Sequence, residues 1–191
     1  MPNMQFPIRF SLLTALSWIL LTELANGQAG EKKVVRPPSS GQPANPPATV
    51  GPSLISPGIM IGDVLFLAGQ GSRDPKTGQH PEGFEAQVKQ ALENLGAVLQ
   101  AAGLDFSQVV KANVYLTDIK SFSRMNSIYR SYFKSDPPAR TTIAVPALPG
   151  GSQVEITFIA ARGSRMIIRP EGHQANPNAP YSPGVDRKSV V

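Results

Sequence analysis

PPARTTIAVPALPGGSQVEITFIAA, running from Pro137 to Ala161, is the stretch from which the rest of the chain can be placed. Arg140 to Ala147 is rich in β-branched residues and predicts a strand. Pro149-Gly150-Gly151 supplies a reversal, and Gln153 to Ala161 alternates again as a second strand. On that second strand Val154, Ile156 and Phe158 share one face, and Glu155 and Thr157 share the other. The pattern leaves a cation, Arg140, at the mouth of the first strand and an acid, Glu155, partway along the second. A planar guanidinium with paired donors suits a carboxylate, and a carboxylate can position or deprotonate a water. A surface Arg and a surface Glu on a solvated sheet face fit the same pattern, so residue types alone leave both open.

Upstream, Ile55 to Ile61 and Val64 to Gln70 predict two strands joined at Gly62-Asp63. DPKTG at 74–78 is a surface turn without the residue order of a phosphate-cradling loop. Glu82 to Ala102 predicts the long helix, with Phe84, Val88, Leu92, Leu95 and Leu99 at helical spacing and Gly103 as its stop. Val109 to Thr117 predicts a strand with Val110, Ala112, Val114 and Leu116 on one face. A second helix, Phe122 to Phe133, turns Met125, Ile128, Tyr129 and Tyr132 inward or toward an interface. The order ββαβαββ implies an α+β fold with the helices on one face of a mixed sheet, the other face awaiting a cover.

Outside this core the composition changes. Residues 1–27 have the form of a secretory signal: Arg9, an apolar run FSLLTALSWILL at 10–21, and small residues at Ala25-Asn26-Gly27. The apolar run is too short for a stable membrane span, so export to a periplasm or the medium is expected. Residues 28–52 are Pro-rich and predict an extended linker. The domain is expected at 53–163, with a tail at 164–191. The net charge is +5, but the cations are scattered without aromatic interleaving, so no nucleic-acid partner is expected. The chain has no cysteine, which excludes a disulfide framework, a thiol nucleophile and a thiolate metal site. Its two histidines, His80 and His173, lack metal-ligand spacing and are expected to be solvated, with neither metal nor cofactor.

PPAR before a β-branched strand, then LPGG and VEI-x-x-IA, resembles the signature of the RidA (YjgF) family. IGDVLFLAGQ at 61–70, DPKTG at 74–78, QALENLGAVLQAAG at 90–103, VVKANVYLTDI at 109–119 and MNSIYRSYF at 125–133 agree with it. The resemblance covers about residues 53–163. It implies a single chorismate-mutase-like domain that forms a homotrimer with clefts between subunits. It also implies hydrolysis of short 2-imino and 2-enamino acids to 2-keto acids and ammonia. By the same resemblance Arg140 holds the substrate carboxylate and Glu155 positions the attacking water. Asn126 lies in the cleft wall, and Gly69 brings its backbone close to the substrate.

Three positions depart from the family's common pattern. Ile55 stands where an aromatic often precedes S-P-G, Ala68 where a small hydroxyl often precedes Gly-Gln, and Thr142, counted among the expected substrate-binding residues, where Cys or Ser is frequent two residues after the arginine. In the tail, Tyr181-Ser182-Pro183-Gly184-Val185 repeats the pattern Ile55-Ser56-Pro57-Gly58-Ile59 with the aromatic restored. The tail is then the stub of a truncated second copy, a flap that gives Tyr181 to a cleft, or a disordered segment with a chance pentapeptide. The leading function is an imine/enamine deaminase. The alternative is a non-catalytic trimer that binds small carboxylates or acts as a scaffold, and RNA cleavage ranks last for want of a histidine pair and a basic groove.

Overall fold

The computed structural model describes residues 30–38, 54–172 and 179–187. The expected signal segment, most of the expected linker and His173 lie outside these residues. The elements in chain order are β1 (Lys32–Val35), β2 (Gly58–Ile61), β3 (Val64–Leu67), α1 (Phe84–Ala101) and β4 (Val109–Leu116). There follow α2 (Phe122–Tyr132), β5 (Ala139–Ala144), β6 (Val154–Ala161), β7 (Arg165–Ile168) and β8 (Gly184–Arg187). The first six strands form one mixed sheet in the order β1-β2-β3-β6-β4-β5, parallel only between β4 and β5. β7 and β8 make a separate antiparallel pair.

Both helices cover the same face of the large sheet. α1 buries the expected stripe Phe84, Val88, Leu92, Leu95 and Leu99, and Gly103 ends it with a positive φ of 70°. α2 buries Met125 and Tyr129 against the same layer. Val154, Ile156, Phe158 and Ala160 come up from β6 to meet them. Arg124 of α2 clamps Glu85 of α1 through two hydrogen bonds of 2.5 and 2.6 Å, which hold the Glu85 carboxyl down at about 2. The opposite face of the sheet exposes Ile61, Phe66 and Ile143 at 42%, 45% and 46%.

Four local expectations are corrected. Residues 32–35, expected in a linker, form the edge strand β1, because Val34 and Val35 extend the sheet and Val35 is only 2% exposed. The first domain strand starts at Gly58 rather than Ile55; Pro57 has no N–H to give a ladder, and its carbonyl takes the Ala68 N–H instead. Val109 rather than Val110 enters the core, since the ladder between β4 and β6 shifts register between Val109 and Lys111. Most consequentially, β5 and β6 are not neighbours: the reversal at Pro149–Gly151 carries the chain past β4, which lies between them.

Candidate functional site

The register separates the two residues singled out first. Arg140 sits beside Ala112, which pairs onward with Phe158, and both of those face the helices. Glu155 sits beside Tyr115, which pairs onward with Ile143, on the opposite face. Along β6 the two rows are three residues apart, and β4 intervenes. That is about 10 Å along the strand and about 10 Å across it, with the sheet itself in the way. Within one chain, therefore, Arg140 and Glu155 belong to two half-sites.

Glu155 lies in an open pocket of about 440 Å³ lined by Ile55, Ala68, Gly69, Arg73, His80 and Ser152 among others. Gly69 is packed directly on the acid: a Cβ there would stand 2.2 Å from Glu155 Oε1. A side chain at this position would push the Glu155 carboxylate out of its present place, so the glycine matters here through close approach rather than backbone conformation. Gln70 fixes the spacing by exchanging backbone hydrogen bonds of 2.9 and 3.1 Å with Ile156.

Behind the pocket is a polar network that no sequence motif announces. The buried Ser72 hydroxyl lies 2.9 Å from Ser152 Oγ, 2.9 Å from Gln87 Oε1 and 2.8 Å from His80 Nδ1. Ser152 Oγ donates to the Val154 carbonyl, and Gln87 Oε1 accepts from the Gln153 N–H. His80 Nε2 is 2.8 Å from the Gly150 carbonyl, which can only accept, so this nitrogen carries a proton. His80 lies in a loop, as expected, but is hydrogen-bonded rather than free in solvent: it links the Gly150 carbonyl to Ser72 and, through Ser72, to Gln87 of α1. The fully buried Ser72 is no nucleophile for a substrate to reach.

The other half-site is built on β5 and α2. Arg140 Nη2 donates to Asn126 Oδ1 at 2.7 Å. Its guanidinium carbon lies 4.7 Å from the Tyr129 ring centroid, 5.6 Å from that of Phe122 and 5.2 Å from that of Tyr181. Burial pushes the Arg140 pKa down, and the nearby Tyr129 and Tyr181 phenols oppose that shift. Burial likewise pushes the Tyr129 phenol up. Arg140 Nη1, Thr142 Oγ1 and the Tyr129 hydroxyl are shielded from solvent and have no hydrogen-bond partner among the described residues. A guanidinium surrounded by rings, with one amino group held and the other unmatched, has a donor that a small anion could match.

The candidates therefore divide cleanly. Arg140, Asn126, Thr142 and Tyr181 gather at one half-site, while Glu155 and Gly69 gather at the other with Ile55 and Ala68. Tyr129 was legible only as an inward-facing helix residue and Phe122 only as the start of the second helix, and nothing in the sequence linked them to Arg140. Among the described residues no cluster of His, Cys, Asp or Glu could hold a metal ion.

Residues 47–162 match the model of the endoribonuclease L-PSP family. A 2-iminobutanoate/2-iminopropanoate deaminase of Bos taurus is 46% identical over 121 residues, 63% of this chain and 87% of that protein. Among solved structures, the YjgF gene product of E. coli aligns with a TM-score of 0.56 at 35% identity, covering 62% of this chain and 94% of that one. E. coli TdcF with bound serine aligns with a TM-score of 0.59 at 29% identity, covering 69% and 99%.

The unpartnered Tyr129 hydroxyl carries a direct test. Removing it deletes a buried polar group without breaking a hydrogen bond, so Tyr129→Phe should hold or raise stability, by up to about 1 kcal/mol. Urea unfolding checks this; a loss of stability larger than about 1 kcal/mol would mean the hydroxyl has a structural partner.

Proposed function

The chain belongs to the endoribonuclease L-PSP family, that of the RidA/YjgF proteins, through residues 47–162, and we propose that it deaminates short 2-imino acids to 2-keto acids and ammonia. The observation that carries this is the half-buried Arg140, anchored by Asn126 and ringed by aromatics, with Nη1 lacking an acceptor. The name of the bovine relative supplies the substrate class, and the serine held by TdcF is of matching size and also carries a carboxylate.

Because Arg140 and Glu155 lie on opposite faces of one sheet, the complete site forms where two copies meet. The exposed Ile61, Phe66 and Ile143 on the Glu155 face give a homotrimer an apolar surface to bury. In that arrangement Arg140 of one copy binds the substrate carboxylate with charge-assisted hydrogen bonds. Glu155 of a neighbour accepts a proton as its water adds to C2 of the imine. The C=N π electrons move to nitrogen, which takes that proton back from Glu155 to give a carbinolamine; Glu155 then carries the C2–OH proton to the amine, which leaves as ammonia as the C2–O bond becomes the ketone. The imine is already an electrophile, so orientation and proton transfer account for catalysis by these residues.

Freshly generated 2-iminopropanoate tests this. Arg140→Ala should raise KM about ten- to hundred-fold, the loss of a charged hydrogen bond to the substrate. Glu155→Gln should lower kcat about a hundred-fold or more while a 2-keto acid still binds. A wild-type chain that binds the keto acid yet never hydrolyses the imine would make this a carboxylate-binding protein instead. We further propose, from the Arg9 and FSLLTALSWILL pattern, that the enzyme acts outside the cytosol. N-terminal sequencing of the exported chain should then begin at Gln28, whereas an intact Met1 would end that proposal.

A further inference from the structure

Each half-site is flanked by one copy of the same five-residue pattern. Ile55-Ser56-Pro57-Gly58-Ile59 borders the Glu155 pocket, and Tyr181-Ser182-Pro183-Gly184-Val185 lies against Arg140. The two behave alike locally, since each glycine opens a strand, β2 in one case and β8 in the other. The second copy is fixed to the domain. Ser182 is 6% exposed, its N–H donates to the Pro138 carbonyl at 3.1 Å, and it pairs with Ala139, the residue before Arg140. β8 is paired along its length with β7, where Arg165 donates to the Ser107 carbonyl of the main domain.

This docking sets the Tyr181 ring 5.2 Å from the Arg140 guanidinium carbon, with Tyr129 and Phe122 as the other aromatic neighbours. An aromatic face attracts the cation but offers it no carboxylate-like acceptor, so Nη1 stays unmatched and Thr142 Oγ1 does too. Arg140 and Thr142 are two residues apart on β5 and so share one face of it. A short acid whose carboxylate meets Nη1 would lie on that face. Tyr181 is 44% exposed, so its outer side faces solvent and it can be removed without opening the core.

We propose that Tyr181, delivered by the docked tail, is the outer wall of the carboxylate site: it holds the guanidinium in place and keeps water from the donor awaiting the substrate. The proposal rests on the deaminase function above and assigns part of its substrate affinity to a segment outside the residues matched by the family model. Tyr181 is a binding and positioning residue, and no proton passes through it.

The test uses the full-length chain and its Tyr181→Ala and Tyr181→Phe variants, with steady-state kinetics on 2-iminopropanoate and calorimetric binding of 2-oxobutanoate. Tyr181→Ala should raise KM and the keto-acid Kd about five- to ten-fold, the size of a cation–π contact in a partly desolvated site, while kcat stays within about two-fold. Tyr181→Phe, which keeps the ring, should recover most of that affinity. Unchanged or tighter binding by Tyr181→Ala would overturn the proposal, making the tail a spectator or a blocking flap. So would a fall in kcat at constant KM, or equal losses in both variants. An active wild type with an indifferent Tyr181→Ala removes only the role of the tail. A wild type that neither turns over the imine nor binds 2-oxobutanoate removes the deaminase function and this role together.

Discussion

A β-strand can give only every second residue to the core, and this restriction governs the molecule. β6 turns Val154, Ile156, Phe158 and Ala160 toward the helices, so Glu155 must point the other way. Moving the register by one would bury a carboxylate and expose four apolar side chains. β5 is bound by parallel pairing with β4, which places Arg140 on the helix side beside Ala112. The core that stabilises one copy therefore keeps Arg140 and Glu155 of that copy apart. In the function proposed here a second copy brings the guanidinium to the carboxylate, and the apolar residues exposed on the Glu155 face offer a surface for it.

Each half-site is held by its own supports. On the acid side, Gly69 lets the neighbouring backbone come against Glu155, and the Ser72–Ser152–Gln87–His80 network fixes the turn that leads into β6. On the basic side, Asn126 anchors one amino group while Phe122, Tyr129 and Tyr181 provide attraction that offsets desolvation of the cation. Leaving a charged donor unmatched in such a place is costly, and a ligand carboxylate would relieve that cost.

Much of this was legible from the chain alone, for identifiable reasons. The α1 stripe and the alternation of β6 are strong periodic signals, and both helices fall where the apolar spacing puts them. The individual candidates Arg140, Glu155, Asn126 and Gly69 follow from motif resemblance, and the structure brings Asn126 to Arg140 and Gly69 to Glu155. The strand order did not follow, because periodicity states which face a residue occupies and not which strand lies alongside. For that reason Arg140 and Glu155 looked adjacent across a turn when β4 in fact separates them. The bulge near Val110 and the strand at residues 32–35 were hidden likewise: a one-residue register shift and a short segment within Pro-rich sequence leave little pattern. The role of His80 depends on contacts with residues far along the chain, which no local spacing encodes.

Subunit complementation tests the shared site most directly. Arg140→Ala and Glu155→Gln chains would be unfolded together in equal amounts and refolded, and imine hydrolysis then measured at a substrate concentration well below the wild-type KM, where the raised KM of the first and the lowered kcat of the second leave each with little activity alone. If each site takes its arginine from one copy and its acid from another, random assembly makes about one site in four intact, so activity should return toward about a quarter of the wild-type level. A mixture as inactive as its parents, in which the presence of mixed oligomers has been verified, would contradict a site divided between copies.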